Sequence, residues 1–190
     1  MNKEDLRQQY RLKRMGLSTE EVRDLSGKIS EKFMAYLGEH QEICHVHLFL
    51  PIARFHEVDT LPLFYKLQDL GYSLYTSRLN PSEENLETLN ISSIKGFDSG
   101  HWGIPVPGQA AIEAPDNIQL LLIPLLAYDK KGYRIGYGKG YYDKFLATLG
   151  RDIIKVGLSF FPPEDHIPVE PHDIPMDFCI TPKDVFFFYR

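Results

Sequence analysis

The sequence predicts an α/β fold: a single three-layer domain in which a mostly parallel open sheet is flanked by helices. Three observations carry that expectation. Short apolar runs that read as strands alternate with amphipathic stretches that read as helices, the pattern of strands joined by crossover helices. The run Gln119–Tyr128 (QLLLIPLLAY) is almost wholly apolar, as expected of a strand covered on both faces. With 190 residues, the chain suffices for one core and shows neither an internal repeat nor a linker that would mark a second domain.

Residues 3–14 and 18–38 read as helices. Ser18 with Glu21 three positions on forms a capping box, and Val22, Leu25, Ile29, Phe33 and Leu37 follow at spacings of three and four, one apolar face. Ile43–Leu50 is a short apolar run closed by Pro51, a strand signal. A helix over Thr60–Leu70 ends at Gly71, which suits a left-handed cap, and Ser73–Leu79 reads as the next strand. Asn80–Gly108 is rich in Asn, Ser, Gly and Pro, with β-like pieces at 86–91 and 94–97, and is expected to be a hairpin and loop excursion. After the buried strand come a Gly-rich turn (132–140), a helix (141–149), a strand (153–160), a Pro-rich segment (162–175) and a last strand at 178–181. Phe186–Tyr189 fits either a further strand or a cover for another subunit.

Hydrophobic residues make up 43% of the chain and charged residues 25%, which excludes disordered and fibrous classes. The formal charge of −5 lacks the overall basic field of a general nucleic-acid binder. Cys44 and Cys179 sit among apolar neighbours and are expected to be small buried hydrophobes in a reducing compartment. The charged N-terminal stretch MNKEDLRQQYRLKR lacks the apolar core of a signal peptide, and no apolar run approaches the ~18 residues of a membrane span. The expectation is a cytoplasmic protein with small-molecule partners, no nucleic acid and no membrane, monomeric or weakly dimeric.

Chemistry concentrates in Asp129–Asp143 (DKKGYRIGYGKGYYD). Gly136, Gly138 and Gly140 follow a buried strand and precede a helix; glycine lets backbone amides approach a ligand closely, and a helix N-terminus offers unpaired N–H donors and partial positive charge to phosphate. Arg134 and Lys139 add cationic donors to that turn. The spacing is neither a Walker loop, since Tyr133 stands where that pattern needs glycine, nor a dinucleotide fingerprint; the same glycines would also suit a turn that binds nothing. Lys3 and Arg7 share a helical face in a segment that carries five basic and two acidic residues over positions 1–14. Residues 162–177 hold Glu164, Asp165, Glu170, Asp173 and Asp177, no Lys or Arg, and five prolines, a stiff acidic wall whose hard oxygens suit Mg²⁺. His45 and His47 alternate on a strand, yet no zinc-type spacing occurs, and no G-x-S-x-G elbow supports serine hydrolysis.

The run Gly132–Asp143 resembles the hallmark segment of 5-formyltetrahydrofolate cyclo-ligases, also called 5,10-methenyltetrahydrofolate synthetases. Lys3 to Arg7 is similar to the family's N-terminal K-x-x-x-R, Glu57–Thr60 to its E-[VI]-x-T, Trp102–Pro107 to its G-I-x-x-P, and Ile123-Pro124 through Asp129 to its V-P-x-x-A-[FY]-D. The resemblance implies ATP-dependent conversion of 5-formyltetrahydrofolate to 5,10-methenyltetrahydrofolate, with release of ADP and phosphate and a requirement for Mg²⁺. It implies ATP binding at Lys3, Glu4, Asp5, Leu6 and Arg7 and at Arg134, Ile135, Gly136, Tyr137, Gly138, Lys139, Gly140, Tyr141 and Tyr142. Lys139 and Arg134 would act in catalysis. Folate would contact Ile52, Glu57, Trp102 and Tyr137–Tyr141, and Asp143 and Asp177 would hold Mg²⁺. Tyr137 departs from the pattern, standing where some relatives carry Arg. Two other readings remain: a nucleotide- or folate-binding regulator without catalysis, and a sugar-phosphate isomerase or CoA-transferase-like enzyme that needs no ATP.

Overall fold

Capping chemistry sets the first two helices. In the computed structural model, which describes residues 1–80, 82–100, 105–150 and 152–188, Asn2 and Asp5 form a capping box ahead of α1 (Lys3–Met15), and Ser18 and Glu21 form the expected one ahead of α2 (Thr19–Glu39). Each box satisfies amides that a bare helix start would leave unpaired. On α2, Ile29, Phe33 and Leu37 are buried, the core of the expected apolar face.

The chain continues through β1 (His45–His47), a 3-10 turn (Ala53–Phe55), α3 (Leu61–Asp69), β2 (Ser73–Asn80) and β3 (Asn85–Asn90). A small hairpin of β4 (Phe97–Ser99) and β5 (Pro105–Pro107) leads to β6 (Ala111–Ile112) and β7 (Leu120–Pro124). The short pair β8 (Ala127–Tyr128) and β9 (Arg134–Ile135) precedes α4 (Tyr141–Thr148), β10 (Ile154–Leu158), β11 (Phe178–Ile180) and β12 (Val185–Phe187).

Eight strands form one sheet in the order β12-β11-β10-β7-β1-β2-β3-β6. The inner strands from β11 to β2 are mutually parallel, and the outer pairings are antiparallel. Strand alternation sorts the core. Val46, Leu48, Leu120, Leu122, Val156 and Leu158 pack with α2 and α3, whereas Leu121, Ile123 and Cys179 pack with Phe145 and Leu146 of α4. These are the three layers the sequence predicts. α1 stands outside them, its Leu6 and Tyr10 packed on Leu126, Ala127 and Ile135.

Several boundaries differ from expectation. The apolar run 119–128 is two elements, because Pro124 has no N–H to extend the ladder; β7 ends there, and the chain turns so that Leu126 N bonds Ile135 O at 2.7 Å. Phe186 lies in β12 and pairs with Cys179 of β11, so the segment is a strand as far as Phe187. Cys179 is buried as expected, but Cys44 is exposed, since it precedes β1 at the rim, where Gln119 Oε1 accepts its amide at 2.7 Å. His45 and His47 hydrogen-bond Tyr75 and Ser77 at 3.0 and 2.7 Å as packed strand residues. No helix among the described residues is long and apolar enough to cross a membrane.

The strand order locates the site. From β1 the sheet proceeds to β2 on one side, and from β7 to β10 and β11 on the other. In open α/β sheets a crevice opens beyond the carboxyl ends of the strands where the order reverses, here beyond Leu48 and Pro124.

Candidate active site

The β8–β9 pair, in register through Ala127↔Ile135 and Tyr128↔Arg134, projects the Gly-rich turn over that crevice, with α1 alongside. Arg7 Nε donates to Gly136 O at 3.1 Å. Gly138 takes φ +95°, and a Cβ there would lie 3.0 Å from Arg7 Cζ, so both the backbone and the crossing arginine require glycine. Gly140, at φ +67°, caps α4 without a side chain, leaving the first amides of that helix without intrahelical acceptors. Lys139 is exposed beside them, and among the described residues no acid or hydrogen-bond acceptor engages its side chain.

On α1, two cations beside this turn are paired. Lys3 Nζ sits 2.5 Å from Glu170 Oε2 and 2.7 Å from Asp173 Oδ2. Burial pulls its pKa down, but hydrogen bonds and charge from Asp173 and Glu170 outweigh that and raise it. Burial likewise pushes Asp173 up, yet the Lys3 ammonium and the Glu170 amide hold it below the usual carboxylate range. Arg7 pairs with Glu4 at 3.0 Å.

Two of the expected residues lie away from the open face of the turn. Arg134, expected as an open phosphate donor, has its side chain only 4% exposed and pairs with Asp143 Oδ1 at 2.8 Å. Its other terminal nitrogen donates to Ile174 O at 2.6 Å, and Ile174 N returns a bond to Asp143 Oδ1 at 3.2 Å. Burial depresses the guanidinium pKa, opposed by the charges of Asp143 and then Asp173. Asp177, expected beside Asp143, instead accepts the Lys155 amide at 2.7 Å and its ammonium at 2.8 Å, where β10 and β11 begin. The charge of Asp173 also reaches Arg134, though its own ion pair is with Lys3. The acidic wall was visible in the sequence, but its members are equivalent there, and the course of residues 170–177 places Asp173 beside Lys3 and Asp177 beside Lys155.

The crevice itself is a cavity of ≈ 380 Å³, lined among others by Phe49, Ile52, Glu57, Pro124, Tyr137 and Tyr142. Thr60 Oγ1 donates to Phe49 O at 2.5 Å and Ser26 Oγ accepts the Asp59 amide at 2.9 Å, so the loop carrying Glu57 is pinned to the segment just beyond β1 and to α2. Glu57 is 4% exposed. Its Oε2 accepts the Ile52 amide at 2.7 Å, and its Oε1 accepts the Tyr137 hydroxyl. Burial raises its pKa, against the pull of Arg14, Tyr137 and the Ile52 amide.

Arg14 was absent from the sequence-predicted residues. It is buried, and it donates to the Tyr137 hydroxyl at 2.9 Å and to Leu125 O. The signal existed: Arg14 stands two turns beyond Arg7 on the same face of α1. Trp102 lies outside the described residues. Ile52, Glu57 and Tyr137 meet at the cavity, whereas Gly138, Lys139, Gly140 and Tyr141 lie on the turn above it.

The model of the 5-formyltetrahydrofolate cyclo-ligase family matches residues 1–182. A 5-formyltetrahydrofolate cyclo-ligase of Mycoplasma genitalium is 31% identical over 180 residues, covering 95% of this chain and 98% of that protein. A solved 5,10-methenyltetrahydrofolate synthetase from Aquifex aeolicus superposes with a TM-score of 0.84 at 31% identity, covering 100% of this chain and 94% of that one. One from Mycoplasma pneumoniae gives 0.79 at 29% identity, covering 96% and 99%.

Proposed function

The chain belongs to the 5-formyltetrahydrofolate cyclo-ligase family, and from that premise we propose how its own residues divide the ATP-dependent closure of 5-formyltetrahydrofolate to 5,10-methenyltetrahydrofolate. The N5-formyl group is an amide whose oxygen leaves poorly. Transfer of the γ-phosphoryl group to that oxygen, releasing ADP, makes it a leaving group; N10 then attacks the activated carbon, loses its proton, and phosphate departs. Positioning and charge stabilisation are the protein's tasks.

The observation that carries the reading is that Tyr137 belongs to both halves of the site. It sits between the glycines of the cationic turn and lines the cavity with Glu57. A nucleotide on the turn therefore ends beside a folate in the cavity. In this reading the α4 N-terminal amides, Lys139, Arg7 and Lys3 take the phosphates, with Glu4, Asp5, Leu6, Ile135, Tyr141 and Tyr142 shaping the nucleotide seat. Lys139 acts on the phosphoryl group in transit, while Arg134 acts indirectly by fixing Asp143. Ile52, Glu57 and Tyr137 hold the folate ring.

Mg²⁺ is assigned to the acidic side of the turn. The donors holding Asp143 engage only its Oδ1, Asp173 lies with Glu170 and His172 in a cluster of possible ligand atoms, and hard carboxylate oxygens suit this ion. Bound there, the ion would neutralise charge on the phosphates. The chain is expected to work in the cytoplasm as one domain. Absorbance near the methenyl band should rise only when ATP, Mg²⁺ and 5-formyltetrahydrofolate are all present. Formation without ATP, or none with it, overturns the reading.

A further inference from the structure

We propose that Arg14 is a positioning residue which, acting through the Tyr137 hydroxyl, aims the Glu57 carboxylate into the folate cavity and ties it to α1, the helix that carries the nucleotide-side cations. The proposal rests on the reading that Glu57 contacts folate.

The direction of the hydrogen bonds is the central fact. Arg14 has only donors, so at the Tyr137 oxygen it takes a lone pair and leaves the hydroxyl proton to point at Glu57 Oε1. The Ile52 amide points at Oε2. Each carboxylate oxygen thus spends one acceptor position inside the protein and keeps another, and the pair can take two adjacent donors, such as the amide N–H and amino group on one edge of a pterin ring. The second guanidinium nitrogen donates to Leu125 O, just beyond β7, and the Arg14 carbonyl lies 3.1 Å from His56 Nδ1, one residue before Glu57. Arg14 therefore joins the end of α1, the end of β7, the Gly-rich turn and the Glu57 loop.

Charge supports the assignment. No cation forms a direct ion pair with Glu57 among the described residues; Arg14 reaches it one hydroxyl away. Besides Arg14, the groups that face Glu57 are Tyr137 and Tyr142, both pushed up in pKa by burial first and by the Glu57 charge second, and the Ile52 amide. Arg78 lines the same cavity but is paired with Glu87 at 2.8 Å. Burial already favours protonated Glu57. Losing Arg14 strengthens that preference, and protonated Glu57 presents one acceptor fewer to the substrate.

The experiment compares Arg14→Met, Arg14→Lys and Tyr137→Phe with the unaltered chain, recording kcat/KM for 5-formyltetrahydrofolate from pH 5.5 to 9. In the unaltered chain the value falls as pH drops through the raised Glu57 pKa. In Arg14→Met the acid limb should move to higher pH by about one unit or more. KM for the folate should rise about tenfold at neutral pH, with KM for ATP within threefold. Arg14→Lys should restore most of the limb. Tyr137→Phe, which leaves the Leu125 contact intact, should shift it the same way and supplies the test if Arg14→Met does not fold. Profiles of Arg14→Met and Tyr137→Phe that superpose on the unaltered chain overturn the proposal, as does an equal rise in both KM values. Absence of ATP-dependent turnover in the unaltered chain would instead overturn the functional reading.

Discussion

The nucleotide rim and the folate cavity meet at Tyr137, yet they hold charge in opposite ways. On the rim Lys3, Arg7 and Arg134 are each matched directly to a carboxylate at 2.5–3.0 Å, and Lys139 stands in solvent. In the cavity a single buried carboxylate is held by neutral donors, with its cation one hydroxyl removed. In the proposed function the difference follows from the ligands. A triphosphate is multiply charged and spread over many oxygens, so it can be met by cations such as Lys3 and Arg7 that exchange one anionic partner for another, while the buried Arg134 keeps its partner. A pterin edge is neutral and directional, so its receptor must fix an orientation beforehand. The rim is built for exchange and the cavity for aim.

The largest expected effect tests the rim where it is least encumbered. Lys139→Ala should lower kcat by about 10²–10³-fold, the scale of losing one donor to a charge-developing oxygen, with an unchanged melting transition, because the side chain is exposed. Steady-state turnover at saturating ATP checks this; a loss under threefold would remove Lys139 from the chemistry. Next comes a contrast inside the acidic wall. Asp173→Asn should raise the Mg²⁺ concentration for half-maximal activity about 10–100-fold, as for other groups that hold or orient a metal. Asp177→Asn should leave the Mg²⁺ titration unchanged, since its carboxylate serves Lys155. If both variants shift equally, the rim does not distinguish the two acids.

The same contrast explains what could be read from sequence. The parallel core was legible because Leu120–Ile123, Val156–Leu158 and Phe178–Ile180 are buried on both faces, and two-sided burial writes itself as an unbroken apolar run. The helices were legible from caps and periodicity. The rim was legible as a local string, since the glycines and Lys139 are sequence neighbours. The cavity was legible only through the family resemblance, which named Ile52, Glu57 and Tyr137: Glu57 and Tyr137 lie 80 positions apart in the chain, and Arg14, which no sequence signal was used to name, reaches them from the far end of α1. Nor could composition say that Pro124 divides one apolar run between two sheets, or that Arg134 turns inward, because both depend on what packs opposite.

The smallest expected effect separates the rim from the cavity within a single residue type. Gly138 and Gly136 are two positions apart, but only Gly138 has a positive φ and a neighbour, Arg7 Cζ, within reach of an added Cβ. Gly138→Ala should cost about 1–3 kcal/mol of backbone strain, lowering the melting temperature by several degrees. It should raise KM for ATP a few-fold as Arg7 gives way. Because Glu57 and Arg14 do not touch Gly138, KM for 5-formyltetrahydrofolate should stay within twofold. Gly136→Ala, with nothing within 4 Å of its Cβ, should fold and melt like the unaltered chain. A Gly138→Ala variant that weakened the folate while sparing ATP would show that strain in the turn is transmitted through Tyr137 to the cavity, and that the two regions are one mechanical unit rather than two sites sharing a wall.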